Sequence, residues 1–243
     1  ALINANIPWE HVTPSDLKAG LAMRYKVIYL PAQVAINEDL FPIFEQYVRD
    51  GGRLVLDAPG AWWNEQGKVL DTGKGSAFER IFGASIADYQ YANNVKPQLA
   101  NLNLTGFLLD IKPTSADVLQ KFNNNAAAVT EHRLDKGSAI ILSPDASFSM
   151  KNKGNEPMEN WVINVIMQDI RKPYECKNAI VYRLGSEMAD HYFILNDGSA
   201  KNVSLKLNRY KYRHAIDAVT QQKVSISSIN IEANGGRWIR CEK

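Results

Sequence analysis

Near the start of the chain, apolar residues form two short continuous runs with a helical stripe between them. Residues 25–30 are apolar except for Lys26, are partly β-branched and are closed by Pro31, and residues 53–57 hold a second apolar run between Arg53 and Asp57. Continuous apolar runs of this length are typical of strands covered on both faces, as in parallel sheets. The residues between them that recur at helical spacing are Leu40, Phe44, Tyr47 and Val48. The pattern predicts a strand, a helix and a second, parallel strand, joined by a right-handed crossover.

The predicted helix has a start signal and a stop signal. Pro42 is harmless only in a first turn, because the missing N–H has no partner there, and this favours Asp39 over Asn37 as the capping residue. Gly51 and Gly52 supply the left-handed exit that ends a helix. The unit is typical of a doubly wound α/β sheet, in which the loops at the carboxyl ends of the strands carry any chemistry.

The remaining pattern divides the chain into two predicted domains, residues 1–172 and 173–243. The further elements expected in the first domain are a helix tail at 1–6, strands at 7–12 and 84–88, a turn or short helical segment at 14–17, helices at 76–82 and 158–170, a loop or small hairpin at 65–75, antiparallel edge strands or an inserted arm within 89–125, and two strands at 126–133 and 137–142. From residue 179 onward only short strands and turns are predicted, as in a small antiparallel β sandwich. A doubly wound sheet normally begins with a strand, so the helix tail indicates the later part of a longer polypeptide.

The composition excludes several classes of partner. With 45% hydrophobic and 22% charged residues, the chain resembles an ordinary globular protein. A net charge of +2 gives no case for nucleic acid or a membrane surface, and no apolar run approaches the length of a membrane span. We therefore expect neither nucleic acid nor a membrane as a partner.

Two cysteines, Cys176 and Cys241, flank the predicted β domain. The first and last strands of a small sandwich often lie close together, so a disulfide can form there, and it would indicate a periplasmic or extracellular protein. The alternative, which we favour, is a pair of unrelated thiols, and a cytoplasmic protein would then be expected.

One acidic residue, Asp57, ends the second predicted strand, where chemistry is expected. It can serve as a nucleophile or a metal ligand, or it can bond the following turn or a neighbouring loop. We favour the structural role, because an isolated carboxylate specifies no chemistry. The four histidines show no metal-binding spacing, so we expect no metal site and no cofactor.

Two adjacent tryptophans, Trp62 and Trp63, lie in the loop predicted after the second strand. Exposed indoles can stack on sugar rings or form the apolar centre of a subunit contact. They can equally fold back onto the core of their own domain, and the sequence leaves these alternatives open. In the β domain, Trp238, Tyr210 and Tyr212 are a second candidate sugar platform, although aromatic residues at strand spacing more often pack in a core or along an edge.

Several short segments recur in the order and at the spacing of a known family. They are Ala5-Asn6-Ile7-Pro8, residues 25–32, residues 47–56, residues 136–142 and Phe193-Ile194-Leu195-Asn196. In this order they resemble the C-terminal half of the β-galactosidases of glycoside hydrolase family 42. The resemblance implies a trimerisation domain with the flavodoxin-like fold of class I glutamine amidotransferases, followed by a small β domain. The (β/α)8 catalytic barrel of that family lies upstream of the matching segments.

The resemblance also implies that the region has lost its nucleophile. Amidotransferases carry a cysteine on the turn after the second strand, where this chain has Ala58 and Pro59. Glycoside hydrolysis needs two carboxylic acids, and the resemblance assigns that pair to the barrel. It therefore implies a non-catalytic accessory and oligomerisation region, whose partners are its own barrel and further subunits, as in a trimer. The resemblance also implies that the face near the Trp62–Trp63 loop lies toward these partners, and we hypothesise that Trp62 and Trp63 contact another chain or the barrel.

Two other functions remain open. One is a carbohydrate-binding module that uses Trp62 and Trp63 or the β domain. The other is a free-standing α/β hydrolase that uses Asp57. The turn after Asp57 departs from the basic, hydroxyl-rich turn of the β-galactosidases, so the sugar is left open.

Overall fold

The computed structural model describes residues 1–151, 156–208 and 211–243. The chain divides into two compact units, which we call the α/β unit (Val12–Gln168) and the β unit (Ala1–His11 with Asp169–Lys243). The division at residue 172 stays a prediction about domains. Tyr210, named above as a candidate, lies outside the described residues.

The α/β unit alternates strands and helices along its length. Its strands are β1 (Val27–Leu30), β2 (Ala35–Ile36), β3 (Arg53–Asp57), β4 (Trp63–Asn64), β5 (Ala84–Tyr91), β6 (Phe107–Pro113), β7 (Asp117–Lys121), β8 (Ala127–Leu134) and β9 (Gly137–Leu142). Its α-helices are α1 (Pro14–Lys18), α2 (Phe41–Arg49), α3 (Ala77–Phe82), α4 (Ala92–Val95), α5 (Ala146–Ser149) and α6 (Glu156–Met167). Short 3-10 turns lie at Leu21–Arg24 and Glu38–Leu40.

A mixed sheet of seven strands, counted over the described residues, forms the centre of this unit. The strands lie in the order β1-β3-β9-β8-β6-β5, and β7 pairs with β8. The first three are parallel to one another, and the rest of the sheet is antiparallel. The predicted parallel pairing of β1 with β3 is confirmed. Antiparallel strands do form within 89–125, as β6 and β7, but β6 lies between β8 and β5 rather than at an edge of the sheet.

Strand β3 is buried on both faces, as its continuous apolar run predicts. On one face Leu54 and Leu56 belong to the same core cluster as the inward stripe of α2. On the other face Val55 packs in a cluster with Val162 and other residues of α6. Burying each such side chain contributes about 1.5–3 kcal/mol, so this central strand holds helices against both sides of the sheet.

The predicted cap of helix α2 is wrong. Asp39 lies inside the 3-10 turn at Glu38–Leu40, and the side chain of Asn37 accepts the Asp39 N–H instead. Pro42 does lie in the first turn of α2, as expected. Because a 3-10 turn precedes the helix, the capping side chain lies earlier in the chain than predicted. The spacing of the local residues does not predict this extra turn.

The start of the chain also differs from prediction. Residues 2–6 form turns and residues 7–12 are irregular, so the predicted helix tail and strand are both absent there. The segment is held instead by Asn6, which donates to the Cys176 carbonyl (2.8 Å) and accepts from the Val181 N–H (2.8 Å). These long-range bonds explain why the first eleven residues group with the β unit.

The β unit is antiparallel, as predicted. Its strands are β10 (Tyr174–Cys176), β11 (Ile180–Gly185), β12 (Ala189–Leu195), β13 (Lys201–Val203), β14 (Leu205–Leu207), β15 (His214–Asp217), β16 (Ile229–Ile231) and β17 (Gly236–Glu242). A four-stranded sheet runs in the order β11-β12-β17-β15, beside the pairs β10–β14 and β13–β16. The strand expected at 224–226 is absent. Cys176 and Cys241 are free, buried thiols of this core.

No helix among the described residues is long and apolar enough to cross a membrane.

Candidate functional site

The carboxyl ends of β1, β3 and β9 meet at one edge of the sheet because the three strands are parallel. Asp57, the last residue of β3, is completely buried at this edge. The Tyr29 hydroxyl donates to its Oδ2 at 2.6 Å, and the Ala32 N–H donates to its Oδ1. Both carboxylate oxygens are therefore engaged by the neighbouring strand and its loop.

Burial dominates the electrostatics of this cluster. It raises the pKa of Asp57 to about 7, and the hydrogen bonds from Ala32 and Tyr29 only partly oppose it. The charge of Asp145, in the segment after β9, adds to the rise. Burial also raises the pKa of Asp145 and moves that of Tyr29 well above its usual range. The sequence interpretation singled out Asp57 but missed Tyr29 and Asp145.

This arrangement does not suit a hydrolase. Asp57 has no exposed surface through which a substrate could reach it, and its oxygens hold the loop after β1. The turn that follows carries Ala58 and Pro59, which offer no nucleophile. The geometry supports the structural interpretation of Asp57.

The two tryptophans of the following loop differ in their exposure to solvent. Trp62 is half-buried between two rings, with its centroid 4.3 Å from Tyr89 and 5.3 Å from Trp63. Trp63 lies outside it and is 40% exposed. Both backbone N–H groups bond the Val34 carbonyl, at 2.8 and 3.0 Å. Trp62 thus folds back onto its own unit, whereas Trp63 faces solvent.

Other aromatic rings extend this surface. Phe107 meets Trp62 edge-on at 5.8 Å and Tyr91 at 5.4 Å. Val69 forms an isolated antiparallel β-bridge with Trp63, and its side chain is largely exposed. We call these five residues, Trp62, Trp63, Val69, Tyr91 and Phe107, the aromatic patch. Val69, Tyr91 and Phe107 were not predicted from the sequence, although Tyr89 and Tyr91 alternate with polar residues in the period of a strand.

Hydrogen bonds, ring stacking and strand pairing hold the aromatic patch in place. The Tyr89 hydroxyl donates to the carbonyls of Gly60 (3.1 Å) and Ala61 (2.8 Å), and the ring stacks almost parallel to Trp62. Strand β4 also pairs with β2, with Trp63 opposite Ala35. A rigid, exposed aromatic surface of this kind is typical of contact sites, because little side-chain freedom is lost on binding.

Comparison with known proteins decides the family. Residues 1–156 match the family model described as the β-galactosidase trimerisation domain. The match covers more than half of the chain. The chain belongs to the β-galactosidase trimerisation-domain family. The resemblance drawn from the sequence segments is confirmed.

The relatives of this trimerisation-domain chain are larger proteins. It is 26% identical over 145 residues to β-galactosidase GanA of Bacillus subtilis (strain 168), covering 55% of this chain and 22% of GanA. It is similar in structure to Gan42B, a β-galactosidase of G. stearothermophilus (TM-score 0.78, 16% identity), covering 100% of this chain and 35% of Gan42B. For the β-galactosidase of Bacillus circulans sp. alkalophilus, the TM-score is 0.74 at 15% identity, with coverages of 99% and 36%. The chain thus spans about a fifth to a third of these relatives, and the structural likeness shows the shared fold.

The second candidate platform lies beyond the residues that match the trimerisation-domain model. Trp238 stacks on Phe193 at 5.4 Å and is exposed on the β unit. Tyr212 instead turns inward, where its hydroxyl bonds Asp190 and lies 2.9 Å from that of Tyr192. The structure therefore does not bring Tyr212 to the exposed side of Trp238. Among the described residues, no three His, Cys, Asp or Glu side chains lie together as a metal site would require.

Proposed function

We propose that this chain is the non-catalytic oligomerisation region of a β-galactosidase-like glycoside hydrolase, whose (β/α)8 catalytic barrel lies in another part of the parent protein. The observation that carries the proposal is the match of residues 1–156 to the β-galactosidase trimerisation domain. The structural relatives described above are β-galactosidases, and the chain covers about a third of each. Asp57 is buried, and both of its carboxylate oxygens accept hydrogen bonds. The turn that follows it carries no nucleophile. Both features agree with the role of a scaffold.

We also propose that the α/β unit has a doubly wound, flavodoxin-like fold. A doubly wound, flavodoxin-like arrangement is supported by the parallel order of β1, β3 and β9 and by the core clusters on both faces of β3. In this arrangement the amidotransferase-type scaffold is kept for its shape. The edge formed by the carboxyl ends of its parallel strands has a packing role.

The partners are further copies of the same chain, as in a trimer, and the parent's own barrel. The surface that fits this role is the aromatic patch, with Trp63 at its exposed centre. Exposed tryptophans on a rigid base are the side chains that contribute most to subunit contacts. Trp62 then acts as the support on which Trp63 stacks.

The test is the assembly of the parent enzyme. We expect Trp63→Ala to weaken assembly at least about tenfold, which corresponds to about 1.4 kcal/mol. Leu119→Ala is the matched control, since Leu119 is also 40% exposed in this unit but lies on β7, outside the patch. Sedimentation velocity over a dilution series measures the change.

Two results would contradict the proposal. Assembly and thermal stability of the parent enzyme that stay unchanged in the double variant Trp62→Ala, Trp63→Ala would remove the patch from the interface. Hydrolysis of a chromogenic β-galactoside by this chain alone, lost in Asp57→Asn, would instead support the hydrolase alternative.

A further inference from the structure

The β unit carries a row of aromatic side chains on the outer face of its four-stranded sheet. The strand register places Tyr182 opposite Phe193, and Phe193 opposite Trp238. Their neighbours along the strands, such as Ile194 and Ile239, point into the core, because side chains alternate between the faces of a strand. Tyr182 is 45% exposed and Trp238 is 39% exposed, so this row is not part of the core.

The ring of Trp238 is held in one orientation. It stacks on Phe193 with a 25° angle between the planes, and its Nε1–H donates to His191 Nδ1 at 3.0 Å. In the neutral imidazole, this bond leaves the ring proton of His191 on Nε2. Trp238 therefore presents a fixed apolar face beside a polar group that can still donate.

A shallow groove of about 300 Å³ lies beside this ring. Polar side chains of His191, Gln221 and Arg240 line it together with Trp238, and the exposed Met188 forms part of its wall. An arginine has five N–H donors, and the ion pair with Glu242 (3.2 Å) engages one nitrogen of Arg240. The volume is at the low end of the ~300–1,000 Å³ usual for ligand pockets, which suits one ring better than a long chain.

We propose that this groove is a binding site for one pyranose ring of a galactose-containing oligosaccharide. The apolar C–H face of the sugar stacks on Trp238, and its hydroxyls bond His191, Gln221 and Arg240. A neutral, hydroxyl-rich ligand fits, because the charge of Arg240 is already balanced by Glu242. The choice of galactose rests on the proposed function, whereas the site itself rests on the geometry of the β unit.

The expected affinity is weak. A single stacked ring in an open groove, with a few hydrogen bonds that compete with water, predicts a dissociation constant on the order of 1 mM. Such a site gains strength when several copies act together, as they would in an oligomer. We infer that it holds the parent enzyme near its polymeric or oligomeric substrate.

The experiment titrates methyl β-D-galactopyranoside and lactose into the 243-residue chain, followed by saturation-transfer NMR. We expect a saturable signal that Trp238→Ala weakens at least about tenfold. Trp9→Ala is the matched control, because Trp9 is 44% exposed in the same unit but meets His11 edge-on, outside the row. It should bind as the wild type does.

Two further variants keep the test decisive if Trp238→Ala does not fold. Trp238→Phe retains an aromatic face and should bind more weakly than wild type but measurably. Gln221→Ala alters an exposed side chain and should weaken binding several-fold with the circular dichroism spectrum unchanged. Full wild-type affinity in both would overturn the proposal.

Other outcomes would also overturn it. One is the absence of a saturable signal at sugar concentrations well above the expected dissociation constant. Another is an equal signal in Trp238→Ala and Trp9→Ala. A third is self-association of the chain that Trp238→Ala abolishes and that does not respond to sugar. The last result would assign the face to a second copy of the chain. Assembly measured on Trp63 variants is a separate readout, so either proposal can fail while the other stands.

Discussion

The buried carboxyl at the edge of the α/β sheet predicts a specific dependence of stability on pH. The perturbation is Asp57→Asn, which keeps the size of the side chain and removes its titration. The Asn carbonyl can still accept the Ala32 N–H, and its amide can donate to the Tyr29 hydroxyl in place of the bond seen now. The variant therefore tests the ionisation of Asp57 more than its packing.

The magnitude follows from the raised pKa. Below its ordinary pKa of 3.8, Asp57 is protonated in both the folded and the unfolded state, and its contribution to stability is fully present. Above that pH the unfolded state releases the proton while the folded state keeps it, up to a pKa of about 7. The free energy of unfolding then falls by about 1.4 kcal/mol per pH unit, or about 4 kcal/mol in all, as pH rises through this window.

Urea unfolding followed by circular dichroism, from about pH 4 to about pH 8, measures the effect. We expect wild type to lose stability relative to Asp57→Asn as pH rises, so that the variant is the more stable by up to about 4 kcal/mol near pH 8. Asp50→Asn is the control, because Asp50 is an exposed carboxylate in the same unit, and it should follow wild type. A constant difference between wild type and Asp57→Asn across the range would refute the reasoning.

Two further predictions concern close packing and the base of the aromatic patch. Gly137→Ala should lower the free energy of unfolding by about 3 kcal/mol. The new Cβ would lie 2.2 Å from the backbone carbonyl oxygens of both Val48 and Gly52. The same urea assay should show Gly198→Ala nearly unchanged, since the nearest atom to that Cβ is 3.9 Å away, and equal losses would contradict the packing argument. Tyr89→Phe should cost about 1–2 kcal/mol by leaving two buried carbonyls of the turn after β3 without their donor. A loss no larger than that of the exposed Tyr91→Phe would show that those bonds add nothing.

Local patterns were enough to predict the opening strand-helix-strand unit and the antiparallel character of the C-terminal strands. The apolar run at 53–57 is strand β3 with the predicted bounds, and Pro42 correctly placed the first turn of α2. These features depend on neighbours within a few residues, so periodicity and proline geometry specify them directly. The family resemblance relied on the same local segments.

The candidate site was only partly predictable. The rule about carboxyl ends of parallel strands pointed to Asp57, but Asp145 was missed because residues 137–142 were interpreted only as half of a hairpin with β8. In the structure that strand also pairs in parallel with β3. Had this pairing been recognised, the same rule would have brought Asp145 to the edge.

By itself, the sequence determined the opening strand-helix-strand unit, the antiparallel character of the C-terminal strands, that no nucleophile follows β3, and which family the chain resembles. Only the tertiary structure decided that Trp62 is half-buried while Trp63 is exposed. It also decided that Trp238 faces outward while Tyr212 faces inward, and that Asn6 bonds the backbone at Cys176. The physical reason is the range of the forces. Backbone preference and amphipathic period act between near neighbours, whereas exposure, stacking and pKa depend on residues that folding brings together from distant parts of the chain.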